Sequence, residues 1–167
     1  GLSMVYDKVI LSAGCIFART CDVLKEKRDA SIVKLIAGAA NEENVQVDAS
    51  LHVSIIVNSA FASELFLKSM IPPTNIPKNY KGHDLEHLFN LLDDDNRAAI
   101  RDTVVHHLQR VNSKYTNAQF SEDLHNHRDV FSKWRYFYEG KSKPAGDFLL
   151  CFMSTTLAVA KVNPISV

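Results

Sequence analysis

Along most of the chain apolar side chains return every third or fourth residue, and no strand-length run alternates cleanly between apolar and polar positions. That period gathers the apolar set on one face of a helix. Val5, Val9, Ser12, Ile16 and Val23 sketch such a face and predict a first helix from about Met4 to Lys27. DASIVKLIAGAA, Asp29 to Ala40, reads as a second helical piece or a continuation of the first. NEENVQVD is polar and predicts a loop ending at Asp48, a residue type suited to capping the next helix. From Asp48 to Met70 the pattern is strongest. Leu51, Ile55, Asn58, Ala62, Leu65 and Ser69 lie along one stripe, and Val53, Val57, Ala60, Phe61 and Leu67 widen it. A helix that is apolar nearly all round belongs at the centre of a bundle.

Pro72 and Pro73 stop that helix, because proline cannot continue the hydrogen-bond ladder, and IPPTNIPKNY predicts a stiff, exposed connection. GHDLEHLFNLL restarts a helix after Gly82. Asp84 and Glu86 fall in its first turn, where carboxylates complement the helix dipole. DDDN predicts another start, with Asp93 or Asp94 capping a helix through Val111 whose apolar face is Ile100, Val104, Leu108 and Val111. NSKYTNAQ reads as a loop, Gln119 to Glu139 as a helix and GKSKPAG as a break. The apolar run from Phe148 to Val162 reads as a buried helix, too short to span a bilayer comfortably. The expectation is an all-α up-and-down bundle of five to six helices, in one domain covering residues 1–167.

Charge alters this picture little. Lysine plus arginine equals aspartate plus glutamate, 19 each, so the chain does not read as a strongly basic nucleic-acid binder. A local basic patch is compatible with that balance. The three cysteines, Cys15, Cys21 and Cys151, are scattered in apolar or helical contexts and fit neither a disulfide framework nor a CxxC metal site. They read as buried thiols in a reducing compartment, which gives a cytoplasmic expectation with no membrane association.

Four features carry candidate chemistry. His83 and Asp84 in KGHDLEH would suit an HD-type metal-dependent phosphohydrolase, with His52 and Asp102 or Asp129 as further ligands. The plainer reading makes them the cap of a helix, and no metal or cofactor is expected. Arg101 and His106 in RDTVVH pair a phosphate-binding group with a proton carrier, but on one helix they point about 140° apart. They serve equally as a solvated face. In HNHRDVFSKWRYFYE, His127, Phe131, Trp134 and Tyr138 form an aromatic stripe beside a polar one of Arg128, Ser132, Arg135 and Glu139. Such a face holds a phosphate and stacks a base, or else its aromatics are core and Arg135 pairs with an acid. Finally, Asn58, Glu64 and Lys68 interrupt the most apolar helix; Glu64 pairs with Lys68 at i, i+4, or faces Arg128 or Arg135.

NSAFASELFLKSMI, the Pro-rich loop, KGHDLEHLFNLLDDDNRAAI and FSEDLHNHRDVFSKWRYFYE, in that order, resemble bacterial HEPN-domain proteins from roughly Asp48 to Glu139. The resemblance implies a bundle of four or five main helices, usually a symmetric homodimer, linked to nucleotide or RNA binding. Many members are metal-independent ribonucleases of toxin–antitoxin, abortive-infection or other defence systems. Active members carry Arg-x(4–6)-His near the start of a late helix. Here Arg128 is followed by Asp129 with no histidine at that spacing, His125 and His127 precede it, and the literal match is Arg101 to His106 on an earlier helix. The expectation is therefore an RNA- or nucleotide-binding homodimer with an antitoxin or nucleotidyltransferase as partner. Its catalytic candidates are Arg128, His127, Arg101 and His106, and its ligand-binding candidates Arg135, Tyr138, Glu64 and Asn58. The alternatives are a non-catalytic dimeric interaction domain and the HD-type phosphohydrolase.

Overall fold

The computed structural model describes residues 5–134 and 146–161. Its elements are α1 (Lys8–Ile36), α2 (Val45–Ala49), α3 (His52–Met70), a 3-10 turn (Pro73–Asn75), α4 (Leu85–Asn90), α5 (Asp94–Gln109), α6 (Asn117–His127), α7 (Val130–Lys133) and α8 (Gly146–Lys161). The protein is an all-α helical bundle, and the described residues form no β-sheet.

Where helix ends depend on neighbours in sequence, they lie close to the pattern. Asp84 caps α4 by accepting from His87 N at 2.8 Å, and Asp93 caps α5 by accepting from Asn96 N at 2.8 Å. Each satisfies one of the orphan amides of a first turn. Of the two readings open for Asp29 to Ala40 the continuation forms, and two later boundaries differ. The first two helical pieces are one helix, because no glycine or proline interrupts KEKRDA. It ends where Gly38, at φ +86°, lets Ala39 N reach back to the Lys34 carbonyl. The polar loop before the central helix contains α2, so Asp48 lies inside a helix rather than at a cap; α3 begins after Leu51 without a side-chain cap. The helix expected over Gln119 to Glu139 breaks at Arg128–Asp129 into α6 and α7. The break has a tertiary cause: Leu85 N, a first-turn amide of α4, donates to the Arg128 carbonyl at 2.9 Å. It competes with the intrahelical bond that carbonyl would otherwise accept.

The core is arranged around α3, which packs against α1, α4, α7 and α8. Ile55, Ala60, Ala62, Phe66, Leu67 and Met70 are buried on it. It is long and apolar enough to cross a membrane, but most of it is enclosed by the bundle. Ser59, Ser63 and Ser69 sit in this apolar setting because each hydroxyl donates to a carbonyl three or four residues back. Phe89, Phe120, Phe148 and Phe152 join α4, α6 and α8, with centroids 5.6–6.3 Å apart. On α5, Ile100 and Val104 are buried and Leu108 half-buried, whereas Val111 is exposed because the helix stops before it.

Gly14 brings α1 onto α3. A Cβ there would lie 2.6 Å from Phe66 Cε1 and 3.3 Å from Leu65 Cβ. Phe66 is fully buried and has no room to retreat. Glycine to alanine in a helix interior normally gains about 1 kcal/mol, but overpacking a tight core costs about 1–3 kcal/mol. Gly14→Ala should therefore lower the thermal midpoint; an unchanged or raised midpoint would show that α1 and α3 separate easily. Cys21, two turns further along the same face, is buried, and its thiol donates to the Ile55 carbonyl at 3.6 Å. Burial first, then the charge of Asp22, pushes that thiol up to about 12. Since the thiolate is the reactive form, Cys21 should resist iodoacetamide near neutral pH until the protein is unfolded, as read by mass spectrometry of the labelled peptides.

Candidate functional site

Glu64 is the most deeply buried charged side chain on α3, at 1% exposure. A carboxylate removed from water needs partners, and it has two. Lys68 Nζ, one turn on, lies 2.5 Å from Oε1. His83 Nδ1, from the segment leading into α4, lies 3.0 Å from Oε1 and 2.9 Å from Oε2. An ionised carboxylate only accepts hydrogen bonds, so His83 carries its proton on Nδ1 and keeps Nε2 for other work. Its side chain is 40% exposed. The ring rests on Phe131 of α7 at 4.9 Å, and Phe131 stacks on Phe61 of α3 at 4.8 Å. The His-Asp dipeptide is thus divided: His83 is tied to the central helix, and Asp84 caps α4.

Below this point α4 meets the end of α6. The Leu85–Arg128 backbone bond holds the two helices together, and the Arg128 guanidinium donates to the His125 carbonyl at 2.7 Å. His125 Nδ1 lies 2.7 Å from Glu86 Oε2. His87 stacks on Tyr80 at 4.9 Å. Burial, followed by the negative charges of Asp84 and Glu64, raises the Tyr80 phenol above its ordinary value, against a backbone bond at Asp84. The outcome is an open groove of about 280 Å³ lined by Asp84, Glu86, His87, Asn90, His125 and Arg128. It presents two imidazoles and a guanidinium to solvent.

The residues singled out in the sequence are scattered around this groove. Arg128 lines it. His127, the expected proton carrier beside it, is corrected to a core residue. It is buried, Nδ1 bonds the Asp123 carbonyl at 2.6 Å, and the ring packs on Phe148 at 5.2 Å. Two residues apart on α6, the pair stands about 200° apart round the helix, so His127 faces inward while His125 faces out. Arg101 bonds its neighbour Asp102 at 2.9 Å, and His106 lies exposed beside His107; no contact joins Arg101 to His106. Of the two pairings open to Glu64, the i, i+4 pair with Lys68 forms, and the second partner is His83 rather than Arg128. Asn58 donates to the Ser54 carbonyl at 2.8 Å and lines a separate depression of about 170 Å³ with Val53, Val57 and Trp134. Arg135 and Tyr138 lie outside the described residues.

Glu86, His87 and His125 were missed as a set. His87 stood in view at four residues from His83, but the partner of His125 sits on another helix and left no local signal. Among the described residues no group of three or more His, Cys, Asp or Glu is placed to hold a metal ion. His52, needed for the HD reading, starts α3, about 18 Å along the helix from Glu64 and hence from His83.

The chain matches no family model, no curated protein and no solved structure. The groove is therefore read from its own residues.

Removing the Glu64 carboxylate leaves Lys68 and His83 without their shared partner. Breaking a fully buried pair costs about 3–5 kcal/mol, but Lys68 and His83 keep access to water. Glu64→Ala should destabilise the fold by about 2 kcal/mol in denaturant unfolding. A change near zero would mean that the carboxylate organises nothing.

Proposed function

We propose that this protein is an HEPN-like RNA-binding protein that cleaves its substrate without a metal, at the groove between α4 and α6. The observation that carries the reading is the convergence of Arg128, His87 and His125 on one open groove. Transesterification of RNA needs a base for the 2′-hydroxyl, an acid for the departing 5′-oxygen, and positive charge on the phosphate between them. Histidine suits both proton transfers because it titrates near neutral pH. In this reading His125, whose Nδ1 is held by Glu86, turns Nε2 to the 2′-hydroxyl as base. His87, on the opposite helix, protonates the leaving oxygen. Arg128 spends one nitrogen on the His125 carbonyl and keeps the rest of its fork for the phosphate. The family resemblance adds an antitoxin or nucleotidyltransferase as the protein that would restrain or modify such an activity, and a cytoplasmic setting.

The test is cleavage of end-labelled single-stranded RNA in excess chelator, with the DNA of the same sequence as control. The parent should cut the RNA, leave a 2′,3′-cyclic phosphate and spare the DNA, which lacks the attacking hydroxyl. His125→Ala and Arg128→Ala should each reduce the rate about 100-fold or more. Arg128→Ala should still fold, because it is the Arg128 backbone that holds α4. Cleavage that persists in both folded variants removes the groove as the site. A parent that neither binds nor cuts RNA removes the function.

A further inference from the structure

The depression beside Asn58 brings together side chains that stand far apart in the sequence. Trp134 comes from the end of α7 and is 43% exposed. Val53, Ser54, Val57 and Asn58 come from one side of the first two turns of α3. The volume, about 170 Å³, lies below the roughly 300–1,000 Å³ of a drug-sized pocket and suits a single planar group.

The lining narrows what that group is. Trp134 supplies an aromatic face, on which any nucleobase stacks. Asn58 supplies an amide of settled orientation. The Ser54 carbonyl only accepts hydrogen bonds, so the atom 2.8 Å from it is Nδ2. One N–H is spent there, and Oδ1 and the second N–H remain. Val53 and Val57 add apolar surface, and none of the described lining residues carries a charge. A neutral base fits such a lining, whereas a phosphate would be left unpaired.

We propose, on the RNA-binding reading above, that this depression is a subsite for an unpaired adenine of the bound strand, with Asn58 as the residue that selects it. An amide with one acceptor and one donor matches the adenine edge that sets the N6 amino donor beside the N7 acceptor. Guanine sets two acceptors, O6 and N7, on the same edge and turns one of them against Oδ1. Stacking on Trp134 fixes the plane in which the edge is read. Trp134 follows Arg128 by six residues, so their Cα atoms are at most about 22 Å apart. A strand rising about 3.4 Å per nucleotide covers that distance in about seven nucleotides. One short strand therefore reaches both the groove and the depression.

Trp134 is the one tryptophan of the chain, so its fluorescence reports on the subsite directly. 2′-O-Methyl decaadenylate, which lacks the attacking hydroxyl and stays intact, should quench it saturably. The 7-deaza-adenine analogue keeps the stacking rings but loses N7, and should bind about tenfold more weakly. Asn58→Leu keeps the bulk of the side chain and loses the amide. It should bind both oligomers alike, at the weaker level, with unchanged circular dichroism. Trp134→Leu should lower the affinity for decaadenylate at least about fivefold, read by the anisotropy of a labelled strand. Adenosine 5′-monophosphate should bind at least about tenfold more weakly than the decamer; equal affinity would mark a free-nucleotide site and overturn the assignment to RNA. An absence of quenching overturns the subsite, as does a 7-deaza effect that survives in Asn58→Leu. RNA cleavage without quenching removes the subsite alone. Quenching with the expected 7-deaza effect but no cleavage supports the subsite and removes the catalytic reading of the groove.

Discussion

A carboxylate buried in the most apolar helix of a bundle has to be answered by other charges, and the answer to Glu64 organises everything around it. Lys68 answers from the same helix, which costs the fold nothing in topology. His83 answers from a segment that has just left a proline-rich connection. Its arrival fixes where that connection must end, and so where Asp84 can cap α4. Replacing the ionic group by a well-packed apolar one would serve stability as well or better. What the ionic form adds is direction: it accepts only particular donors and so selects one position for the start of α4.

The second constraint is a single backbone bond. Leu85 N is an orphan donor of a short helix, and the Arg128 carbonyl satisfies it. The cost is borne by the long helix expected over Gln119 to Glu139, which gives way at Arg128–Asp129. In exchange the end of α6 lies against the start of α4. His125 meets Glu86 there, and His87 and Arg128 share one groove.

These two constraints separate what was legible in the sequence from what was not. The central place of α3 was legible because composition alone states it. The caps at Asp84 and Asp93 and the pair of Glu64 with Lys68 were legible because each joins residues three or four apart. The break in the late helix was not, because its cause lies on α4. A continuous helix would carry His127, Phe131 and Trp134 on one stripe; with the break His127 is in the core and Trp134 is exposed. The candidate imidazoles divide within α6 itself: His127, next to Arg128 in sequence, turns inward, and His125, held by a partner on another helix, turns out. The exposed α1 face of Val9, Ile16 and Val23 was visible in the sequence, but as the face expected to be buried. Sequence period shows that a stripe exists, whereas the choice of which stripe meets α3 falls to Gly14, which lets the backbones approach where Phe66 needs room.

At the groove, structural duties and the proposed chemical ones fall on different atoms of the same residues. Arg128 holds α4 through its carbonyl and lines the groove with its side chain. His87 gives its backbone amide to Asp84 and its ring to the groove. His125 offers its carbonyl to Arg128 and one ring nitrogen to Glu86, which leaves the other nitrogen open. Backbone groups persist under any side-chain substitution other than proline, so the scaffold of the groove survives changes to the side chains that line it. By contrast, Glu64 stabilises with the same oxygens that would do chemistry, and a change there disturbs the fold before it reports on function. That contrast supports proposing reactive groups at the α4–α6 groove, apart from the organising group on α3.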